Sequence, residues 1–153
     1  MLTPMRRIFL VLLVLAFFAS CATVPVAQRE GRIERLLDTL NEGEFEELLP
    51  ATGTPFLLDR EIIILDRDVE TMWTNLRDVG FTFAEYRILA VEQLDQESYR
   101  RFADGFEVET YFAKYLPEGA ALVEVETTHG RFLLLTGGRD SGRPLLYGMR
   151  GPI

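Results

Sequence analysis

The chain has 153 residues, 48% of them hydrophobic, and its 24 acidic side chains outweigh 16 basic ones to leave a net charge of −8. That length suits one domain with a sizeable core, and that charge makes nucleic acid or an anionic lipid surface a poor partner. With one cysteine, Cys21, and one histidine, His129, neither a disulfide nor a thiolate metal site can hold the fold. No metal and no cofactor is expected, and packing must do the work.

Residues 1–20 have the layout of an export signal: Arg6-Arg7, an uncharged run from Ile8 to Phe18, then Ala19-Ser20 ahead of Cys21. The apolar run is too short to span a bilayer as a helix. Phe18-Ala19-Ser20-Cys21 resembles the lipobox of bacterial lipoproteins, with Phe18 in place of the usual Leu. The resemblance implies cleavage before Cys21 and a diacylglycerol, with a further acyl chain such as palmitate, on that residue. Two or three chains at about 0.8 kcal/mol per buried methylene anchor a protein stably where one does not. Ala22, where an Asp commonly signals inner-membrane retention, implies the periplasmic side of the outer membrane. A plain secretory cut after Ala22 would discard the cysteine, and Arg6-Arg7 also looks like a twin-arginine signal. Residues 21–28 then form the lipidated cysteine and a tether, and residues 29–153 one α+β domain.

From Arg29 a helix is expected, with Ile33, Leu36, Leu37 and Leu40 as its apolar stripe and Asn41 to Gly43 as its end. A short helix comes next, with Phe45, Leu48 and Leu49 inward and Glu44, Glu46 and Glu47 outward, stopped by Pro50. Ala51 to Pro55 reads as a loop. Phe56 to Leu58 and Glu61 to Leu65 have hairpin spacing around Asp59-Arg60; because Arg60 is not the Gly of a type I′ turn, a bulged or three-residue turn taking in Glu61 is expected.

The periodicity then changes from two to 3.6. Val69, Met72, Trp73, Leu76 and Val79 share one helical face, with Asp66 or Asp68 as the cap of the first turn and Gly80 as the left-handed stop. Tyr86 to Leu94 alternates, with Tyr86, Ile88 and Ala90 on one face and Arg87, Leu89 and Val91 on the other. Tyr99, Phe102, Ala103 and Phe106 fit one helical face, and Val108, Tyr111, Phe112, Tyr115 and Leu116 another, closed by Pro117. Phe106, Val108, Thr110 and Phe112 also alternate as a strand would, but the fully apolar helical stripes favour two short helices. Ala120 to Thr127, Phe132 to Thr136 and Leu145 to Met149 read as an antiparallel meander, turning at His129-Gly130 and at Gly137 to Gly142.

This element order, and the run from Leu36 to Leu65 leading into a helix that carries Trp73, resembles the nuclear transport factor 2-like superfamily, also called cystatin-like or SnoaL-like. The resemblance covers about Arg29 to Met149. It implies N-terminal helices packed on a strongly curved, mainly antiparallel sheet that closes round the third helix as a cone with an apolar pocket. The segment from Asp95 to Leu116 lies outside that common plan and could cap or fill the pocket. The superfamily holds isomerases, dehydratases, epoxide hydrolases and cyclases beside non-catalytic binding or dimerising modules, so the fold does not decide the chemistry.

The residues must decide it. His129 falls in a turn and reads as solvated rather than as a general base. Asp66-Arg67-Asp68 are adjacent, so helix capping explains them better than an acid-Arg-acid active site. Glu124 and Glu126 share a strand face opposite Val123 and Val125, which places them towards solvent and within reach of Arg131 or Arg150. No catalytic residue is assigned. Trp73, Tyr111, Tyr115 and Glu124 are the candidate pocket residues, and the expected role is binding a small apolar ligand or a protein partner without catalysis. Two alternatives stand beside it: an isomerase-like or cyclase-like enzyme with Glu124 as base and Tyr111 or Tyr115 as donor, and an envelope scaffold that forms a homodimer through an apolar sheet face.

Overall fold

The computed structural model describes residues 26–137 and 145–153, with side chains from Arg29 onward. The export signal, Cys21, most of the tether and the turn residues from Gly138 to Gly142 lie outside the described residues. The described elements, in chain order, are α1 Val26–Glu42, α2 Phe45–Leu48, β1 Thr52–Leu58, β2 Glu61–Ile63, α3 Asp66–Asp78, β3 Arg87–Gln93, α4 Ser98–Phe102, α5 Phe106–Lys114, β4 Ala121–Thr127, β5 Gly130–Gly137 and β6 Leu145–Arg150. The class is α+β. Six strands form one mixed sheet in the order β2-β1-β6-β5-β4-β3. Its only parallel pair among the described residues is β1 with β6; the other four pairings are antiparallel.

The first helix matches its sequence pattern, and all four residues of its stripe are buried. It is longer than expected, since Val26 is already helical. In α2, Leu48 is fully buried, while Phe45 and Leu49 are half-buried against the same core. Two contacts tie the end of α1 to α3 and to the segment just beyond it. The Arg77 guanidinium on α3 donates to Gly43 O at 2.8 Å, and the Asn41 side-chain oxygen accepts from the Phe83 N–H at 2.6 Å. A guanidinium at a helix C-terminus satisfies carbonyls that the helix itself leaves open.

The segment expected as a loop before the hairpin is strand from Thr52 onward. Pro55 has no N–H to give a ladder, and it lies where the register against β6 shifts between Thr52 and Leu57. The hairpin closes on two residues, not three, because Leu58 pairs with Glu61. Asp59 alone takes the positive φ, 52°, so Arg60 need not; Asp tolerates that region better than a long side chain does. Asp59 is also held from outside the turn, its N–H donating to Met149 O at 2.8 Å and its carboxylate accepting from the Gly151 N–H at 3.1 Å. β2 ends at Ile63, earlier than the alternation suggested, and leaves Ile64 and Leu65 exposed.

Helix α3 starts without a side-chain cap. Leu65 occupies the N-cap position, and Asp66 and Asp68 sit in the first turn, where their charge favours the positive end of the helix dipole. The stop is as expected: Gly80 has φ +74°, its N–H bonds to Arg77 O, and the Phe81 N–H bonds to Leu76 O, the paired pattern of a Schellman motif. Val69, Met72 and Trp73 are buried, but Val79 is 79% exposed because the helix ends before reaching it.

A register shift between Ile88 and Ala90 breaks the simple alternation of β3. Tyr86, Ile88 and Val91 therefore pack on the same core, and Leu89 is exposed. The next segment forms two short helices. Ala103 turns extended after α4, which ends the stripe before Phe106, and Phe106 opens α5 at 81% exposure.

The sheet is covered on both faces. One face carries α1, α2 and α3 over Phe56, Val123, Val125, Phe132, Leu134 and Leu146. The other carries α4 and α5 over Leu57, Leu122, Leu133 and Leu135. Each fully buried Leu or Phe contributes about 1.5–3 kcal/mol relative to exposure, so both layers matter to stability.

Candidate functional site

The two-sided sheet separates the candidate pocket residues. Trp73 lies on α3 in the first layer, buried, with its indole N–H donating to the Thr52 hydroxyl at 3.0 Å; that hydroxyl in turn donates to Leu48 O at 2.8 Å. The chain Trp73 to Thr52 to Leu48 joins α3, β1 and α2, a satisfied structural network. Tyr111 and Tyr115 lie on or at the end of α5 across the sheet, with ring centroids 5.6 Å apart. Glu124 points to that second side as well, opposite Val123 and Val125. The structure therefore groups Tyr111, Tyr115 and the side of Glu124, and sets Trp73 apart from them.

The Tyr111 ring is fully buried, and its hydroxyl faces Pro55 O at 2.6 Å and Tyr147 O at 2.7 Å. One proton shared between two backbone carbonyls fastens α5 to β1 and β6. Burial pushes this phenol up, with Tyr147 adding to the effect, so it stays protonated. Gly53 permits this packing, because a Cβ there would collide with the Tyr147 ring.

Glu124 belongs to a ladder of charges. Arg101 pairs with Glu92 and reaches Glu124 at 3.7 Å; Arg131 meets Glu124 and Glu126 at 3.5 Å each; Arg87 pairs with Glu126. The strand register explains it, since Arg87 and Arg131 both stand opposite Glu126 in the two neighbouring strands. Arg87 first, then Arg131, holds the Glu126 carboxyl below the usual carboxylate range. Arg150, expected to join the glutamates, instead donates to the carbonyls of Arg101 and Phe102 at the end of α4. The part of this face beyond α4 and α5 is thus ionic rather than apolar.

His129 is exposed in the turn between β4 and β5, at 6.3 Å from the Phe81 ring. Among the described residues no group of three or more His, Cys, Asp or Glu side chains is placed to hold a metal ion, and no helix is long and apolar enough to cross a membrane.

A groove of about 650 Å³ opens where the end of β3 meets α4 and α5, with Leu94, Tyr99, Phe112, Leu116 and Pro117 as its apolar lining. The segment from Asp95 to Leu116 and the residues flanking it build this groove, on the side of the sheet away from α3. Sequence reasoning did not place it. A signal was present in Phe132 to Leu135, an unbroken apolar run that marks a strand covered on both faces.

No family model matches the chain, and no curated protein or solved structure matches it either. The residues themselves must carry the functional reading.

Proposed function

We propose that the chain is a lipid-anchored protein of the bacterial envelope, tethered through Cys21 on the periplasmic side of the outer membrane, whose domain has a nuclear transport factor 2-like fold and binds a ligand or partner without catalysis. The order of helices and strands, and the helices laid on a largely antiparallel sheet, support the family reading. One observation carries the choice of binding over catalysis: Glu124 and Tyr111, two of the three groups that an isomerase-like site would use, already have structural tasks. The Tyr111 hydroxyl is committed to two backbone carbonyls, and Glu124 stands between Arg101 and Arg131, whereas an enzymatic base of this kind needs an apolar setting. The groove beside α5 offers the apolar surface that binding requires. A homodimer through an open apolar sheet face draws less support, since the exposed part of that face carries the charge ladder.

Native mass spectrometry on the full chain extracted from its own envelope tests the reading. The expected result is a diacylglycerol-sized mass on the peptide that begins at Cys21 and a non-covalent companion released on gentle activation. An unmodified Cys21 would overturn the anchor, and a chain that turns over a small carbonyl or epoxide substrate would overturn the binding role.

A further inference from the structure

We infer that the flank of α1 carrying Arg29, Arg32 and Arg35 docks on anionic phospholipid headgroups of the membrane that holds the chain; this rests on the lipid anchor proposed above. Among the described residues every arginine from Arg67 onward meets a carboxylate or a backbone carbonyl. The guanidiniums of Arg29, Arg32, Arg35 and Arg60 have no hydrogen bond or ion pair among those residues. In a chain with 24 acidic side chains, that is not for want of partners.

Three of these four lie on one helix. A spacing of three walks Arg29, Arg32 and Arg35 round one flank of α1, while Glu30, Glu34 and Asp38, spaced by four, drift the opposite way, to the side where Asp38 accepts from the Tyr86 hydroxyl at 2.9 Å. Arg35 is exposed and Arg29 and Arg32 are half-buried, so their stems can lie on the protein with the charged heads in solvent.

The anchor names the occupant. Only Ala22 to Pro25 separate Cys21 from Val26, the first residue of α1. Even fully extended that stretch reaches about 18 Å, less than the ~30 Å diameter of a small domain, so an acylated Cys21 keeps α1 at the bilayer surface. The net charge of −8 gives the chain no long-range pull towards anionic lipid. The anchor makes that pull unnecessary, and because charges beyond about 8 Å are screened at physiological salt, the flank that touches the headgroups decides. Basic side chains beside an acyl anchor then add to membrane attachment.

The test inserts the mature acylated protein into vesicles that carry dansyl-labelled headgroups and reads energy transfer from Trp73, the one tryptophan of the chain. Vesicles with about 30 mol% phosphatidylglycerol should give at least about 1.5-fold more transfer than phosphatidylcholine alone at about 50 mM salt, and no excess at about 500 mM. Arg29→Gln, Arg32→Gln and Arg35→Gln together should abolish the excess, whereas Arg60→Gln, in the β1–β2 turn, should keep it. Equal transfer on the two vesicles, an excess that survives the triple variant, or an equal loss in Arg60→Gln would each overturn the docking and leave the anchor standing. A chain that does not float with phosphatidylcholine vesicles would overturn the anchor and the docking together.

Discussion

The two faces of the sheet are built from the same strands and finished differently. On the first, α1, α2 and α3 bury an uninterrupted apolar layer in which Trp73 is the largest anchor and the aromatic rings of Phe81, Phe83 and Phe132 meet edge to face at 5.1–5.7 Å. On the second, α4 and α5 cover only part of the face, and charged residues take over where they stop. The changeover is visible within β4: Ala121, Leu122 and Val123 are buried in succession, after which Glu124 and Glu126 alternate with buried Val125 and Thr127. A sheet can thus give one face wholly to packing and divide the other between packing and a charged surface.

The sharpest way to break that comparison is in the first layer. Trp73→Ala should destabilise the domain by about 3–5 kcal/mol through the cavity it leaves, read from chemical denaturation. A loss below about 1 kcal/mol would mean that the layer does not anchor the fold. On the second face, Gly53→Ala forces a methyl into the Tyr147 ring, and overpacking of this kind costs about 1–3 kcal/mol. Thermal melting should show it as a lower midpoint.

Tyr111→Phe leaves the ring but removes the donor shared by Pro55 and Tyr147, for a loss of about 1–3 kcal/mol. It also supplies a pH signature. A phenol whose folded pKa is raised above 10.0 stabilises the folded state below that pH, and its contribution is lost as pH rises through the folded value. Tyr86, pushed up to about 12 by burial and then by its bond to Asp38, acts in the same sense. Alkaline unfolding should therefore begin above pH 10 in the wild type and become less steep in Tyr111→Phe.

The smallest effect is expected in the ladder. Arg131→Ala should cost less than about 1 kcal/mol, and less still at high salt, because its partners are solvated. The sign with pH is opposite to that of the tyrosines. The folded pKa of Glu126 lies below 4.5, so its contribution is present above that pH and fades as pH falls through the folded value. A loss as large as that of Tyr111→Phe would show that the ladder, not α5, holds the second face.

How much of the molecule was legible in its sequence depends on which forces are local. The α1 stripe, the Trp73 helix with its Gly80 stop, and the meander of β4, β5 and β6 come from periodicity and turn chemistry, which neighbours along the chain dictate. The pairing of Arg131 with Glu124 and Glu126 was legible too, because alternation across a tight turn sets which residues stand opposite. The hidden features depend on partners far away in the chain. The strand character of Thr52 to Pro55 comes from β6, the register shift in β3 from its pairing with β4, and the separation of Trp73 from Tyr111 from helices covering opposite faces. An aromatic residue at helical spacing announces burial, but not which side of a sheet receives it.

Strand β6 alone joins the β1–β2 hairpin to strands β3, β4 and β5 within the described sheet, and it does so by bringing Leu146 beside Thr52. The two parts of the sheet therefore meet through a single long-range closure, the kind of step that slows folding. Until it occurs, or whenever it reverses, β1 and β6 each present a bare edge ready to pair with another molecule. The hazard of self-association thus lies in the timing of one strand's arrival.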